Sequence, residues 1–325
     1  MNWFLNKPWK LTMLLLSLVV VLAGCGKSGG GEIVSGKLNV VTSFYPIYEF
    51  ATTIGGEDVN VINLLPAGVE PHDWTPRSKD IMNTSKAQLF LYNGAGLEGW
   101  VPNFLKGIGS DASVKAVEVS QGVELIYTDE DDGHNHGGGE ESEAHEEEHD
   151  DHHIDPHTWV SPKSAKVIAE NIKNSYVEAD PNHGDNYEAR YEELSKKLDE
   201  LDNKFESELS KTQKNEIVVS HQAFGYLCRD YGLTQYAIMG LSPEAEPRAQ
   251  DIVVLSKIVK EKGIKYIFFE ELVSDKLAKT LAGEAGVETL VLNPVEGLTS
   301  AQEKAGDNYF TLMEKNLQNL ILALQ

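Results

Sequence analysis

Residues 129–153 read DEDDGHNHGGGEESEAHEEEHDDHH, and the run stops abruptly at Ile154-Asp155-Pro156-His157-Thr158-Trp159. It holds twelve carboxylates and six of the chain's ten histidines (His134, His136, His145, His149, His152 and His153), with no Lys or Arg. A run so dense in one sign of charge can neither build a core nor avoid self-repulsion, so a solvated, disordered loop is predicted. Imidazole and carboxylate together form a borderline-hard donor set that suits Zn(II) and neighbouring divalent ions, and a flexible segment binds such ions without a preset geometry. An acidic linker with incidental histidines is the alternative. The crowding of six histidines into twenty residues speaks against it.

Four histidines lie outside the run: His72, His157, His183 and His221. His183 sits in an Asp-Pro-Asn-His-Gly turn, where a solvated role is expected. His72 and His157 each follow a proline, which restricts the backbone before it, and His221 sits where a strand gives way to a helix. A tetrahedral site for Zn(II) needs four donors, so a carboxylate or a water must complete a set of three imidazoles. Glu296 in Asn293-Pro294-Val295-Glu296-Gly297-Leu298 is the candidate, because it follows a strand and has a glycine beside it to permit close approach. Taken singly, each of these histidines also fits a structural role, and spacing by itself leaves the joint metal reading open.

These residues need elements to position them. Alternation of β-branched and polar residues over 37–43 predicts a strand, followed by a helix over 46–54 closed by Gly55-Gly56. Further strands are expected over 59–65, 88–93 and 114–119, with a helix that Thr75 caps and Pro76 opens, and another over 99–108. Ser161-Pro162 opens a helix to about Ala179. Beyond the Asp180-Pro181 break, Tyr187, Tyr191, Leu194, Leu198, Leu201, Phe205 and Leu209 recur every three or four residues and form one apolar stripe on a long helix. Strand and helix then alternate again, with strands over 216–220, 235–239, 265–269 and 289–292, helices over 223–231, 248–262 and 275–285, and a final helix from Ser300. The pattern predicts an α/β fold of two (β/α)4 lobes, each with a mostly parallel four-stranded sheet, joined by one long helix. Expected boundaries are an N-terminal lobe over 37–185, a linking helix over 186–213 and a C-terminal lobe over 214–325. His72, His221 and Glu296 then fall at or just beyond carboxyl ends of strands, the edge where open α/β sheets bind ligands.

The chain has 325 residues, 41% of them hydrophobic, which suffices for two ordinary domains. Its formal charge of −23 shrinks to −11 once the twelve acids of the run are set aside. No basic face is present, which excludes a nucleic-acid partner. Lys7 and Lys10 precede an apolar run over 11–23 that is too short to span a bilayer comfortably, so residues 1–24 read as an export signal. Leu22-Ala23-Gly24-Cys25 resembles the lipobox of bacterial lipoproteins, which implies that Cys25 carries the lipid and that residues 25–36, rich in Gly and Ser, form a flexible tether on the outer face of the membrane. Cys228 is then alone, without a disulfide partner, and reads as a small buried hydrophobe.

Four motifs, in this order, carry a further resemblance: Gly68-Val69-Glu70-Pro71-His72-Asp73-Trp74; Asp155-Pro156-His157-Thr158-Trp159-Val160-Ser161-Pro162; Ser220-His221-Gln222-Ala223-Phe224-Gly225-Tyr226; and Asn293-Pro294-Val295-Glu296-Gly297-Leu298-Thr299. Over essentially all of residues 33–325 the chain resembles the metal-binding lipoproteins of ABC transporters for zinc and manganese, solute-binding proteins whose two lobes are joined by a rigid helix. The resemblance implies that His72, His157, His221 and Glu296 are the metal ligands. Three histidines with one carboxylate, and a histidine-rich loop before the second ligand, resemble the zinc members more than the manganese members, which use two histidines and two carboxylates. It implies a monomeric protein that captures Zn(II) outside the membrane and delivers it to an ABC permease, and not an enzyme. A surface-tethered zinc hydrolase is the rival reading, but no His-Glu-x-x-His occurs and nothing resembles an activated nucleophile. Gln222, and the stretch 75–78 after the first ligand, depart from the family pattern and flank ligands without replacing one.

Overall fold

A computed structural model describes residues 31–109, 112–128, 153–243 and 249–325. The expected export signal, Cys25 and the loop histidines His134, His136, His145, His149 and His152 lie outside the described residues. The first half supplies β1 (Leu38–Thr42), α1 (Tyr45–Gly55), β2 (Val59–Asn63), α2 (Ser78–Thr84), β3 (Leu89–Tyr92), α3 (Val101–Ile108) and β4 (Lys115–Glu118). Its sheet has the order β2-β1-β3-β4, parallel throughout. The second half repeats the scheme with β7 (Glu216–Val219), α6 (Gly225–Tyr231), β8 (Thr234–Ala237), α7 (Ala249–Lys262), β9 (Tyr266–Phe269), α8 (Lys276–Ala285) and β10 (Glu288–Val291). That sheet has the order β10-β9-β7-β8, again parallel. Read from the first strand of each, the two orders are the same, so both lobes reverse direction between their first and third strands, where an open parallel sheet leaves a crevice at its carboxyl edge.

Between the two sheets in sequence, β5 (Tyr127–Thr128) and β6 (His153–Ile154) pair antiparallel, so His153, expected within the disordered loop, instead lies in a strand opposite Thr128. A 3-10 turn, Thr158–Val160, leads into α4 (Pro162–Ala179), and the long α5 (Gly184–Leu209) follows. At about 1.5 Å per residue α5 is roughly 40 Å long. The predicted stripe faces inward: Tyr187, Leu194, Leu198, Leu201, Phe205 and Leu209 are buried, and Tyr191 packs against the same core. That core runs without a break from Leu38 through α4 and α5 to Leu324, taking in residues of both sheets, while two smaller clusters fill the outer faces.

Several elements differ from expectation at their ends, and three of the differences have a clear local cause. The helix after His72 begins at Ser78, not at Pro76. A residue before proline is pushed out of the helical region, which keeps Thr75 extended, and the Arg77 N–H finds its partner in the Asp80 carboxylate at 2.7 Å. Trp74 instead anchors this stretch, edge-on to Trp100 at 5.4 Å between ring centres. The linking helix stops at Leu209, where the Thr212 hydroxyl donates to the Leu209 carbonyl at 2.7 Å, so the span to 213 ends in a turn. The final helix is two, α9 (Ser300–Ala305) and α10 (Tyr309–Leu324). Gly306, at φ 75°, ends the first, and the Asn308 side chain caps the second by accepting from Thr311 N at 3.0 Å. Cys228 is free and buried, as expected.

Candidate metal centre

The fold brings together residues 85, 64 and 75 positions apart in sequence. His72 lies beyond β2, His157 in the segment after β6, His221 two residues past β7, and Glu296 beyond β10. Each offers one ligand atom, and the four atoms lie within 4.8 Å of one another. His157 Nε2 stands 3.1 Å from His72 Nε2 and 3.2 Å from His221 Nε2. Glu296 Oε1 is 3.5 Å from the Nε2 atoms of His72 and His157 and 3.8 Å from that of His221. A tetrahedron with metal–ligand bonds of about 2.0–2.1 Å has edges of about 3.3 Å, so these separations suit one four-coordinate ion. Glu296 Oε1 is buried and makes no hydrogen bond, so its lone pairs are aimed at the centre with no protein donor to satisfy them. His183, by contrast, is exposed and pairs with Asp180 at 2.7 Å, as the turn predicted.

The far side of two rings is fixed by carboxylates. His157 Nδ1 meets Asp155 Oδ1 at 2.8 Å, and the same oxygen accepts from the His157 backbone N–H at 3.0 Å. His221 Nδ1 meets Glu270 Oε1 at 2.7 Å, and the Ser220 hydroxyl also donates to Glu270. A carboxylate accepting from Nδ1–H assigns the ring proton to that nitrogen and leaves Nε2 with a free lone pair. Lone pairs of neighbouring rings then face each other at about 3 Å, a repulsive arrangement unless a proton or a cation lies between them.

Burial lowers the basicity of His157, but the hydrogen bond to Asp155 and the facing Glu296 carboxylate outweigh it and push the imidazole up to about 9. Burial lowers His72, with Glu296 opposing. Burial raises the Glu296 carboxyl, but the imidazoles of His157 and His72, each 3.5 Å from Oε1, win and hold it well below the usual range. Burial, reinforced by the charge of Glu296, pushes Glu70 up to about 8; its carboxylate accepts from His72 N at 3.0 Å.

Close approach decides two backbone features. A side chain at Gly225 would overlap Asp155 Oδ2, so the residue that opens α6 must be glycine for Asp155 to stay under His157. Val295, immediately before Glu296, has φ 59°. That is the left-handed region, costly for a β-branched residue by about 1–3 kcal/mol and tolerated only where the surroundings over-determine it.

Asp155 and Glu270 were not recognised from sequence as partners of the ligands. Asp155 stood two residues from a ligand within its own motif, a sufficient local signal. Glu270 gave none, since only the packing of β9 beside β7 brings it to His221. Gln222, which departs from the family pattern, donates its backbone N–H to Gly240 O at 2.9 Å.

The family described as zinc-uptake complex component A, periplasmic, matches residues 40–323. The chain is 42% identical over 319 residues to the zinc-binding protein AdcA of Streptococcus pyogenes serotype M3, which covers 96% of this chain and 61% of that protein. It therefore spans about three fifths of the length of the streptococcal relatives it matches. It is 40% identical over 317 residues, 97% of both chains, to the high-affinity zinc uptake system protein ZnuA of Bacillus subtilis. Among solved structures it is similar to the Zn(II)-bound ZnuA-like domain of Streptococcus pneumoniae AdcA, with a TM-score of 0.74 and 39% identity, over 89% of this chain and 99% of that one.

Proposed function

The chain belongs to the family of periplasmic zinc-uptake component A, and from that premise we propose that it captures Zn(II) outside the cytoplasmic membrane and hands it to an ABC permease. The observation that carries this reading is the convergence of three Nε2 atoms and Glu296 Oε1, all on buried residues and within 4.8 Å of one another, with five of the six separations at 3.1 to 3.8 Å. We read His72, His157, His221 and Glu296 as the ligands and Zn(II) as cargo. Three imidazoles suit Zn(II), whereas Mn(II) prefers oxygen donors, so the manganese alternative is not favoured. A catalytic zinc keeps a coordination position open for water, and four protein donors leave none, which argues against a hydrolase.

Titration calorimetry on the full chain and on a variant lacking residues 129–153 tests the proposal. Tight binding of one Zn(II) should persist in the deletion variant, with only weaker additional ions lost, because a disordered donor pays an ordering cost that a preorganised site avoids. The acidic run raises the local cation concentration, so its removal should slow uptake at scarce zinc, an effect that salt screens. Loss of the tight site with the loop would make His134, His136, His145, His149, His152 and His153 the primary donors and overturn the assignment.

Protons give a second check. Metal-free His157, pushed up to about 9, is protonated at neutral pH, while a ligand nitrogen must be unprotonated. Binding near pH 7 should release about one proton, and apparent affinity should fall up to about tenfold per pH unit below 9. Calorimetry in buffers of different ionisation enthalpy measures the release; a binding enthalpy independent of buffer would contradict it.

We further read Cys25 as the lipidated residue and the protein as a monomer tethered at the membrane face. Among the described residues no helix is long and apolar enough to cross a membrane. Cys25→Ser should shift the protein from the membrane to the soluble fraction on centrifugation. Unchanged membrane retention, with no loss of labelled lipid, would reject the anchor.

A further inference from the structure

A closed ring of hydrogen bonds connects α10 to the loops that carry His157 and Glu296. The Tyr309 hydroxyl donates to Trp159 O at 2.8 Å, two residues beyond His157. The Trp159 indole N–H donates to Pro294 O at 2.8 Å, two residues before Glu296. Asn293 N donates to Asn316 Oδ1 at 2.8 Å, and Asn316 Nδ2 donates back to Asn293 O at 2.6 Å, which returns the ring to α10. Tyr309, Trp159 and Asn316 are at most 2% exposed. Seven residues separate Tyr309 from Asn316, two helical turns, so both side chains leave the same face about 10 Å apart along the axis.

The same contacts account for the strained backbone at Val295. Asn293 Oδ1 accepts from Val295 N at 2.7 Å while Asn316 holds both backbone groups of Asn293 and Trp159 holds the carbonyl of Pro294. Every residue leading into Glu296 is thus pinned, which is the over-determination that a β-branched residue at φ 59° requires. A carboxylate on a free loop would swing out toward water. On this loop Oε1 stays buried and without a hydrogen bond, 3.5 Å from two imidazoles.

We propose that α10 is a strut that holds Glu296 in the metal sphere, with Asn316 as the positioning residue that acts through the Asn293–Val295 backbone and Tyr309 and Trp159 tying the same helix to the His157 loop. The inference rests on the reading of Glu296 as a zinc donor. Its signature is non-additivity, because a residue that works only by aiming Glu296 has nothing to aim once that carboxylate is gone.

The test is a double-variant cycle in the full chain, with Asn316→Leu, which keeps the side chain's approximate size, and Glu296→Ala. Zn(II) affinity is measured by chelator competition, the visible absorption of the Co(II)-loaded protein reports coordination geometry, and thermal unfolding of the metal-free protein reports the fold. Asn316→Leu alone should weaken Zn(II) binding about 10- to 100-fold, as loss of an outer partner of a ligand does, and alter the Co(II) spectrum. In the Glu296→Ala background the same substitution should change affinity less than about twofold. Where Asn316→Leu does not fold, Asn316→Asp, which keeps the shape and the acceptor toward Asn293 N, completes the cycle. Wild-type affinity in the Asn316 variant, or losses that simply multiply, overturns the strut while leaving the four-donor site intact. Wild-type affinity in Glu296→Ala alone removes the donor reading and the strut with it.

Discussion

Replacing His221 by Ala, with residues 129–153 removed so that no other imidazole can substitute, should weaken Zn(II) binding by about 10²–10³-fold. Apparent binding free energies of about 10–16 kcal/mol for a four-ligand protein zinc site give about 2.5–4 kcal/mol per ligand, and 1.4 kcal/mol is a factor of ten. His221 supplies such a bond from a position with no freedom to compensate, since its ring is fully buried and its Nδ1 is held by Glu270. His72→Ala and His157→Ala should behave alike, whereas Glu296→Ala should lose less because water can take the place of a carboxylate oxygen. The fold should survive each change, because the apolar core that joins the sheets runs without a break from Leu38 to Leu324. Chelator competition gives the affinities. Full-strength binding by the His221→Ala deletion variant would sink the assignment of this centre.

How much of the centre could be read in advance depended on how local each signal was. His72, His157 and His221 stood out as candidates because histidines outside the acidic run are so few, and Glu296 because it follows a strand at the edge where such sheets bind ligands, but only the resemblance to the zinc and manganese lipoproteins implied that the four act together. The long helix declared itself through a stripe recurring every three or four residues, and the alternation of strands and helices announced two parallel sheets. What failed was punctuation and packing. Thr75-Pro76 carries a standard helix-start signal, yet Asp80 supplies the Arg77 N–H with its partner and moves the start to Ser78. Gly306 to Asn308 separates the polar α9 from the apolar α10, and that break is what places Tyr309 at the head of α10. Glu270 is 49 residues from His221 in sequence, so no spacing rule connects them; the strand order does.

Asp155 and Glu270 give the second large effect. Asp155→Ala deprives His157 Nδ1 of its acceptor, so the ring proton is free to occupy Nε2 and block the lone pair that faces the metal. It also frees the His157 backbone N–H, which the same carboxylate oxygen now accepts, and loosens the turn that carries the ligand. Outer partners of this kind are typically worth about 10–100-fold in metal affinity, and Glu270→Ala should cost a similar factor through His221. The two variants should nevertheless differ in their dependence on pH. Against the lowering effect of burial, Asp155 is the first of the groups that push His157 up to about 9. Without it the metal-free ring is less basic and less often protonated at pH 7, so the proton released on binding should diminish and affinity should fall less steeply toward acid. Glu270 does not touch His157, and its removal should leave that proton release in place. Affinity titrations between pH 6 and 9 on both variants separate a positioning role from general damage, which would weaken binding equally at every pH. Wild-type affinity and an unchanged pH slope in Asp155→Ala would show that the tautomer of His157 is set by something else.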